Sequence, residues 1–216
     1  HDPAKTFLQR SLGSGRLAHA YLISGPRHIG KRTLSIQMAQ ALNCTAPEAS
    51  ARPCHECRSC QRIASSHHAD VRLIELTSDE VTGRMHREIS IGQVRELRRE
   101  TALEPFEGRY RVYIILEAHK LNLEAANALL KTLEEPPSKV VLILTSSEPH
   151  TLLPTVISRC QRIELRPLAT STLSKVLQDN WSVPEDRADT LANLSEGSIG
   201  WAISALSDDS LLQGRL

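Results

Sequence analysis

The feature that most constrains this chain is a glycine-rich turn between an apolar run and an amphipathic segment. The run AYLIS (20–24) predicts a buried strand, and GPRHIGKRT follows it, with Gly25, Gly30 and Lys31 in the pattern GxxxxGK. After the turn, apolar side chains recur at helical spacing. In this arrangement, backbone N–H groups surround phosphates and a lysine adds a point charge. We therefore predict a phosphate-binding loop; the alternative is a glycine turn beside a solvated lysine.

The loop departs from the usual pattern at the residues that hold a metal ion. A Ser or Thr hydroxyl normally follows the lysine and binds Mg²⁺, but Arg32 stands there, and Thr33 lies about 100° further around the helix. Another strand is predicted in VYIILEAHK. In a nucleotide site such a strand would usually end with Asp followed by Glu, but here Leu116 precedes Glu117. Glu117 is otherwise read as a solvated strand-end carboxylate. The sequence predicts a degenerate nucleotide site with weak or absent ATP and ADP binding.

Strand and helix patterns alternate along most of the chain. Further strands are predicted in DVRLIEL, RVYIIL, VVLILT and QRIEL, with helices between them. Such alternation predicts an α/β fold with a parallel sheet covered on both faces. From Arg166 onward the segments STLSKVLQ, DRADTLANLS and SIGWAISALS predict three helices. We expect an α/β domain over residues 1–166 and a small helical domain over residues 167–216.

Local signals also predict where two of the helices begin. Ser90 and Gln93 form a capping-box pattern at the start of SIGQVRELRRETAL. Asn122 is a predicted N-cap for the helix in NLEAANALLKTLEE, which Pro136 and Pro137 should end.

Composition narrows the class of protein. The chain has 216 residues, of which 40% are hydrophobic and 24% charged, as in globular proteins. A net charge of +1 argues against binding nucleic acid by bulk charge, and RELRRE with Arg109 and Arg111 is more typical of a solvated helix face. No apolar run reaches the roughly 18 residues that span a membrane, and no signal-peptide pattern is present, which predicts a cytoplasmic protein. The start, HDPAKTFLQRSL, resembles the inside of a helix and predicts missing upstream residues.

Four cysteines form a separate constellation. Cys44, Cys54, Cys57 and Cys60 have the spacing C-x9-C-x2-C-x2-C within an insertion after the loop helix. Four thiolates at such spacing suit a closed tetrahedral Zn²⁺ site, which would be structural because no coordination position is open. A disulfide pair is the alternative, disfavoured in a cytoplasmic chain, and His55 or His67 could replace one ligand.

Several strings together resemble the AAA+ clamp-loader subunits of bacterial DNA polymerase III. These strings are LAHAYLISGP, ALLKTLEEPP and LPTVISRCQRIEL, and the resemblance extends over residues 17–206, including a zinc module at about residues 44–60. It implies an AAA+ P-loop domain followed by a helical lid. It also implies that Arg159, in the motif SRC, is an arginine finger that reaches the ATP site of a neighbouring subunit; the alternative is a surface salt bridge. Ser146 or Ser147 lies where the family places its sensor-1 residue.

Departures from the family pattern distinguish its motor subunits, gamma/tau, from its inactive stator, delta-prime. Arg32 and Leu116 are two departures. The third is Gly200, in EGSIGWAIS, which stands where the motor pattern GSxRDA has an arginine that senses the γ-phosphate. Loss of these three positions with Arg159 retained resembles delta-prime.

The resemblance implies partners as well as a role. These are the gamma/tau and delta subunits and, through the complex, the sliding clamp and primer-template DNA. The family's C-terminal collar domain is not recognisable in the chain, which predicts a fragment. Two alternatives remain open: an active ATPase motor of the same family, and a zinc-containing DNA-binding protein with a degenerate P-loop.

Overall fold

The structure, a computed structural model, describes residues 17–78, 82–208 and 211. Strands and helices alternate over much of this length, with short 3₁₀ turns between some of them. The strands are β1 (Ala20–Ser24), β2 (Val71–Ile74), β3 (Arg111–Ile115), β4 (Val140–Ser146) and β5 (Gln161–Glu164). The helices are α1 (Lys31–Asn43), α2 (Arg58–Ala64), α3 (Ile91–Thr101), α4 (Leu123–Glu134), α5 (Pro154–Ile157), α6 (Thr170–Trp181), α7 (Glu185–Leu194) and α8 (Ile199–Ser207).

The five strands form one sheet in the order β2-β3-β4-β1-β5. The β1–β4, β3–β4 and β2–β3 pairs are parallel, and Leu22 lies opposite Leu144 in the central pair. All seven residues of β4 are buried, as expected of a strand covered on both faces. The predicted parallel sheet is therefore confirmed, whereas α2 and α5 were not predicted. The helix-like start of the chain lies outside the described residues.

Helix starts follow local chemistry. At α3, Ser90 and Gln93 form the predicted capping box, with the Ser90 N–H donating to Gln93 Oε1 at 3.0 Å. At α4, Asn122 accepts a hydrogen bond from the Ala125 N–H at 2.8 Å, and Pro136 and Pro137 follow the helix end. Both predicted caps are confirmed, because they depend only on residues three positions apart.

The chain divides into two compact units, each with its own hydrophobic core. Among the described residues, the first contains residues 17–24, 32–78 and 82–163; the second combines Gly25–Lys31 with residues 164–208 and 211. The first core packs α3 and α4 against the sheet around Val94, Leu129 and Leu144. The second is formed by the three C-terminal helices around Leu173, Leu191 and Ala202. No helix among the described residues is long and apolar enough to cross a membrane.

A buried carboxylate ties the loop before β3 to the start of β2. Asp70 accepts three consecutive backbone N–H bonds, from Phe106 at 2.7 Å, Glu107 at 2.8 Å and Gly108 at 2.7 Å. The Arg111 guanidinium lies 3.4 Å from it. Burial alone would raise the pKa of Asp70, but the three N–H donors and Arg111 hold that pKa below its usual value.

We expect Asp70→Asn to lower the free energy of unfolding at pH 7 by about 2 kcal/mol, since an amide cannot replace a carboxylate that accepts three N–H bonds. Because the folded-state pKa is depressed, this contribution is present above the unfolded-state pKa, about 3.9, and is lost as pH falls through the lower folded-state pKa. Urea unfolding at several pH values checks both points.

The exposed Asp179→Asn is the control and should change stability little. A difference between wild type and Asp70→Asn that persists unchanged down to pH 3 would contradict this account.

Candidate functional site: a cysteine cluster, a phosphate-loop motif and a strand-end cluster

The four predicted cysteine ligands meet in one cluster. Their sulfur atoms all lie within 4.8 Å of one another. Cys44 follows α1, Cys54 and Cys57 lie in the loop before α2, and Cys60 lies within α2. Tetrahedral Zn²⁺ with Zn–S bonds of about 2.3 Å requires sulfurs about 3.8 Å apart, so modest side-chain adjustment suffices. Four cysteines here could hold a metal ion, and all are free thiols rather than disulfides. No imidazole of the described residues joins the cluster.

Backbone N–H groups lie close to several sulfurs of the cluster. The N–H groups of Ala46 and Cys54 each lie 3.4 Å from Cys44 Sγ, and that of Cys57 lies 3.3 Å from Cys54 Sγ. Burial acts to raise the pKa of Cys57, but hydrogen bonds from Thr45 and Cys60 lower it to about 6. Burial raises the pKa of Cys60. A cation bound by the sulfurs would favour deprotonation of all four.

The cysteine cluster is fastened to the sheet domain by side chains that bond its backbone. Gln40 Nε2 donates to the Cys60 carbonyl at 2.8 Å, and Arg109 Nη2 donates to the Cys44 carbonyl at 2.7 Å. Gln40 is a buried residue of α1, so its hydrogen bond attaches the cysteine cluster to that helix. Arg109, which belongs to the basic stretch of the sequence, therefore has a structural partner in the Cys44 carbonyl.

The loop Gly25–Lys31 has the backbone of a glycine-rich turn. Gly25 and Gly30 have φ values of +148° and +101°, where side chains are strained. A Cβ atom on Gly25 would lie 2.4 Å from the Leu165 carbonyl oxygen. Lys31 Nζ donates to the carbonyls of Gly25 and Pro26 at 2.8 and 2.6 Å. Two of the three ammonium N–H donors thus bind the loop itself.

The N-terminus of α8 bonds directly to this loop. The Gly200 N–H donates to the His28 carbonyl at 2.7 Å, and a Cβ atom at position 200 would approach that oxygen to 2.6 Å. The Ser198 hydroxyl lies 3.4 Å from the Arg27 carbonyl. No side chain fits at position 200 unless the loop or the helix shifts. This backbone conformation therefore leaves no room for an arginine side chain at position 200.

A carboxylate that forms an ion pair and a buried apolar residue lie at the carboxyl ends of β2 and β3, respectively. Arg32 Nη1 lies 3.0 Å from Glu75 Oε2, with both side chains about half exposed. Leu116 is buried, and its N–H bonds the Ile74 carbonyl at 2.8 Å. Glu117 has a left-handed backbone, φ 49°, and its N–H donates to Thr145 Oγ1 at 3.0 Å. Thr33 is exposed.

The two serines at the end of β4 differ in their surroundings. Ser146 is buried, accepts the Glu148 N–H at 3.0 Å and lies 3.3 Å from His119 Nδ1. The Ser147 hydroxyl oxygen is buried without a hydrogen-bond partner among the described residues. Ser146 is thus held in a network within its own unit.

Arg159 lies on the first unit, directly after α5. Its Nη1 donates to the Thr155 carbonyl at 2.9 Å, and its Nη2 lies 2.9 Å from Glu134 Oε1. About a third of the Arg159 side chain is exposed. Sequence reasoning missed Glu134 and Glu75 as partners of the two arginines. Glu75 could have been found, because it lies near the end of the strand predicted in DVRLIEL, whereas Glu134 is 25 positions from Arg159 and gives no local signal.

A family model described as DNA polymerase III, delta subunit, matches residues 1–169. DNA polymerase III subunit tau of Bacillus subtilis is 34% identical over 92% of this chain, and tau of Escherichia coli is 36% identical over 97%. Subunit delta' of Bacillus subtilis is 32% identical over 96%. The chain spans about a third of the length of the tau proteins and 60% of delta'.

Solved structures agree in fold. A gamma subunit-related protein of Thermotoga maritima matches with a TM-score of 0.62 at 22% identity, over 94% of this chain and 57% of that one. The RuvB Holliday junction branch migration motor of the same organism matches at 0.59 and 19%, over 99% and 64%. These confirm the predicted AAA+ P-loop fold. The chain therefore belongs to the DNA polymerase III delta-subunit family of clamp-loader AAA+ proteins, and its sequence is also close to gamma/tau.

Proposed function

We propose that this chain acts as the non-hydrolysing stator, delta-prime, within a DNA polymerase III clamp loader. The observation that carries the proposal is the Arg32–Glu75 ion pair at the position of the usual metal-binding hydroxyl. A guanidinium has no lone pair to bind Mg²⁺, and buried Leu116 removes the second ligand. Phosphoryl transfer depends on positioning of the reactants and on the electrostatic effect of the metal ion. Without these two ligands, the site would lack the effect of the metal ion.

The loop itself supports weak or absent binding of ATP and ADP. Lys31 bonds two loop carbonyls, and the Gly200 N–H bonds the carbonyl of His28. In a nucleotide-binding AAA+ protein, the phosphates would lie between the loop and the lid and contact both. Here we propose that the loop and the helical lid bond each other directly. Gly25, Gly30, Lys31, Thr33 and Glu117 then mark a degenerate nucleotide site.

Arg159 supports a contribution to catalysis in trans. Its partly exposed guanidinium leaves N–H donors beyond those bound to Thr155 and Glu134. An arginine that reaches a neighbouring γ-phosphate stabilises the charge that develops during transfer. We assign this role to Arg159 with gamma/tau as the neighbouring subunit, and delta as a further partner.

An exposed loop between α3 and β3 supports contact with the sliding clamp. Phe106 is 84% exposed and Leu103 is 62% exposed, while Asp70 fixes the backbone beneath them. A rigidly held exposed aromatic side chain is typical of a protein–protein anchor. Primer-template DNA would be reached through the assembled complex.

The cysteine cluster supports zinc as the metal. Four sulfur ligands in a closed set are characteristic of structural Zn²⁺ sites in proteins. Such an ion would hold the module together and leave no coordination position for catalysis.

The identity to tau and gamma/tau proteins favours one alternative, an active ATPase motor. ATP turnover by the purified chain separates the two functions, because the stator proposal requires turnover at background level.

For the metal, we expect one Zn²⁺ per chain by elemental analysis of freshly purified protein. Cys57→Ser should lose the ion, since three ligands remain, and should unfold the module while the sheet persists in the circular dichroism spectrum. Cys160→Ser, outside the cluster, is the control and should keep the zinc. Four reactive thiols and no metal in the unmodified protein would rule out a zinc site.

For catalysis, we expect Arg159→Ala, placed in the complete loader, to lower ATP hydrolysis by the adjacent motor subunit. An arginine finger contributes on the order of 10³-fold at one site, but other sites in the ring keep their own, so the total rate should fall in part. Lys31→Ala should change the same rate little. Negligible effects of both variants would show that Arg159 is a surface charge only.

For the clamp contact, we expect Phe106→Ala to weaken binding of the assembled loader to the clamp by about tenfold, in the range of an interface anchor. Thermal stability should hardly change, because the ring is exposed. Met85→Ala, at a residue that is 62% exposed elsewhere, should bind as the unmodified protein does. Equal affinity for Phe106→Ala and the unmodified protein would remove this loop from the interface.

A further inference from the structure

Two groups bond the Arg159 guanidinium, and one of them is a carboxylate at an unusual location. Nη1 is held by the Thr155 carbonyl of α5, and Nη2 is held by Glu134, the last residue of α4. An acidic side chain at a helix C-terminus is unfavourable, because the helix dipole places negative partial charge there. Glu134 therefore gains from a nearby cation, and Arg159 is that cation.

The surrounding backbone fixes where this carboxylate lies. Leu133, one residue before Glu134, is buried in the sheet-domain core. Glu135 leaves the helical conformation, with φ −122° and ψ 70°, because the residue before a proline is disfavoured in the α region. Cys160, next to Arg159, is also buried in that core. Both members of the pair thus project from anchored backbone, and their 2.9 Å contact orients the guanidinium.

We propose that Glu134 is the positioning residue for the arginine finger, a role that rests on the proposed function of Arg159 in trans. The pair is about one-third to one-half exposed, so a neighbouring subunit can reach the remaining N–H donors. A free arginine side chain samples many rotamers, and the carboxylate restricts them before the subunits meet. Such preorganisation acts on the catalytic step, since a small displacement of a catalytic group is costly in rate.

The same exposure makes the role testable without unfolding the protein. Exposed ion pairs contribute little to stability, so Glu134→Gln should fold and assemble as the unmodified protein does. Glu135→Gln is a matched control, because Glu135 is the next residue, is also exposed, and forms no ion pair among the described parts of the chain.

The experiment is a double-mutant cycle in the complete clamp loader, with ATP turnover measured against ATP concentration. We expect Glu134→Gln to lower the maximal rate at the neighbouring site on the order of tenfold, with an unchanged KM. Glu135→Gln should have no effect. In the Arg159→Ala background, Glu134→Gln should add nothing, because the residue that it positions is gone.

Four outcomes overturn the proposal. An unchanged rate for Glu134→Gln, while Arg159→Ala lowers it, would remove the positioning role and leave the proposed function intact. A fall of equal size with and without Arg159 would show that Glu134 acts elsewhere, as would failure of Glu134→Gln to enter the complex. If Arg159→Ala itself has no effect, the proposed function fails together with this inference.

Discussion

Parallel pairing of β1, β2, β3 and β4 is the constraint on which the candidate site depends. Parallel strands end at the same edge of a sheet, so residues distant in sequence meet there. Glu75 follows β2, Leu116 follows β3 and Thr145 lies near the end of β4. The Leu116 N–H bonds the Ile74 carbonyl, and the Glu117 N–H bonds the Thr145 hydroxyl. The fold thus brings the residues that follow β2 and β3 and the end of β4 to one edge of the sheet.

Electrostatics at this edge are satisfied within the protein. A carboxylate at the carboxyl ends of parallel strands would ordinarily attract a cation. Here Glu75 forms an ion pair with Arg32. Unlike a metal ion, the guanidinium has a permanent charge and no coordination sphere that can change. The pair is half exposed, so it contributes little to stability. Its consequence is electrostatic, because the guanidinium of Arg32 neutralises the charge of Glu75.

Sequence reasoning succeeded where a signal is local and failed where a partner is distant. Residues close together in sequence predict three features: the buried strand β4, the caps at Ser90 and Asn122, and the cysteine cluster. Phe106 is of a residue type that is usually buried, and its exposure follows from the bonds between Asp70 and the loop backbone. Asp70 itself was read only as the start of a strand. Its role depends on N–H groups more than 35 positions away, which no short window of sequence reveals.

The residues of the glycine-rich motif and of the helix that bonds it have structural roles of their own. Gly25 is required by the Leu165 carbonyl, which leaves no space for a Cβ atom, and Gly200 is required by the His28 carbonyl in the same way. Lys31 has partners in the loop carbonyls. Each of these residues therefore has a packing or hydrogen-bonding role that involves no phosphate. Arg32 and Leu116 stand at the two positions where a nucleotide site would usually have metal ligands; Arg32 pairs with Glu75, and Leu116 is buried. The motif GxxxxGK is accordingly evidence for a backbone conformation, and the residues around it decide whether that conformation binds and hydrolyses a nucleotide.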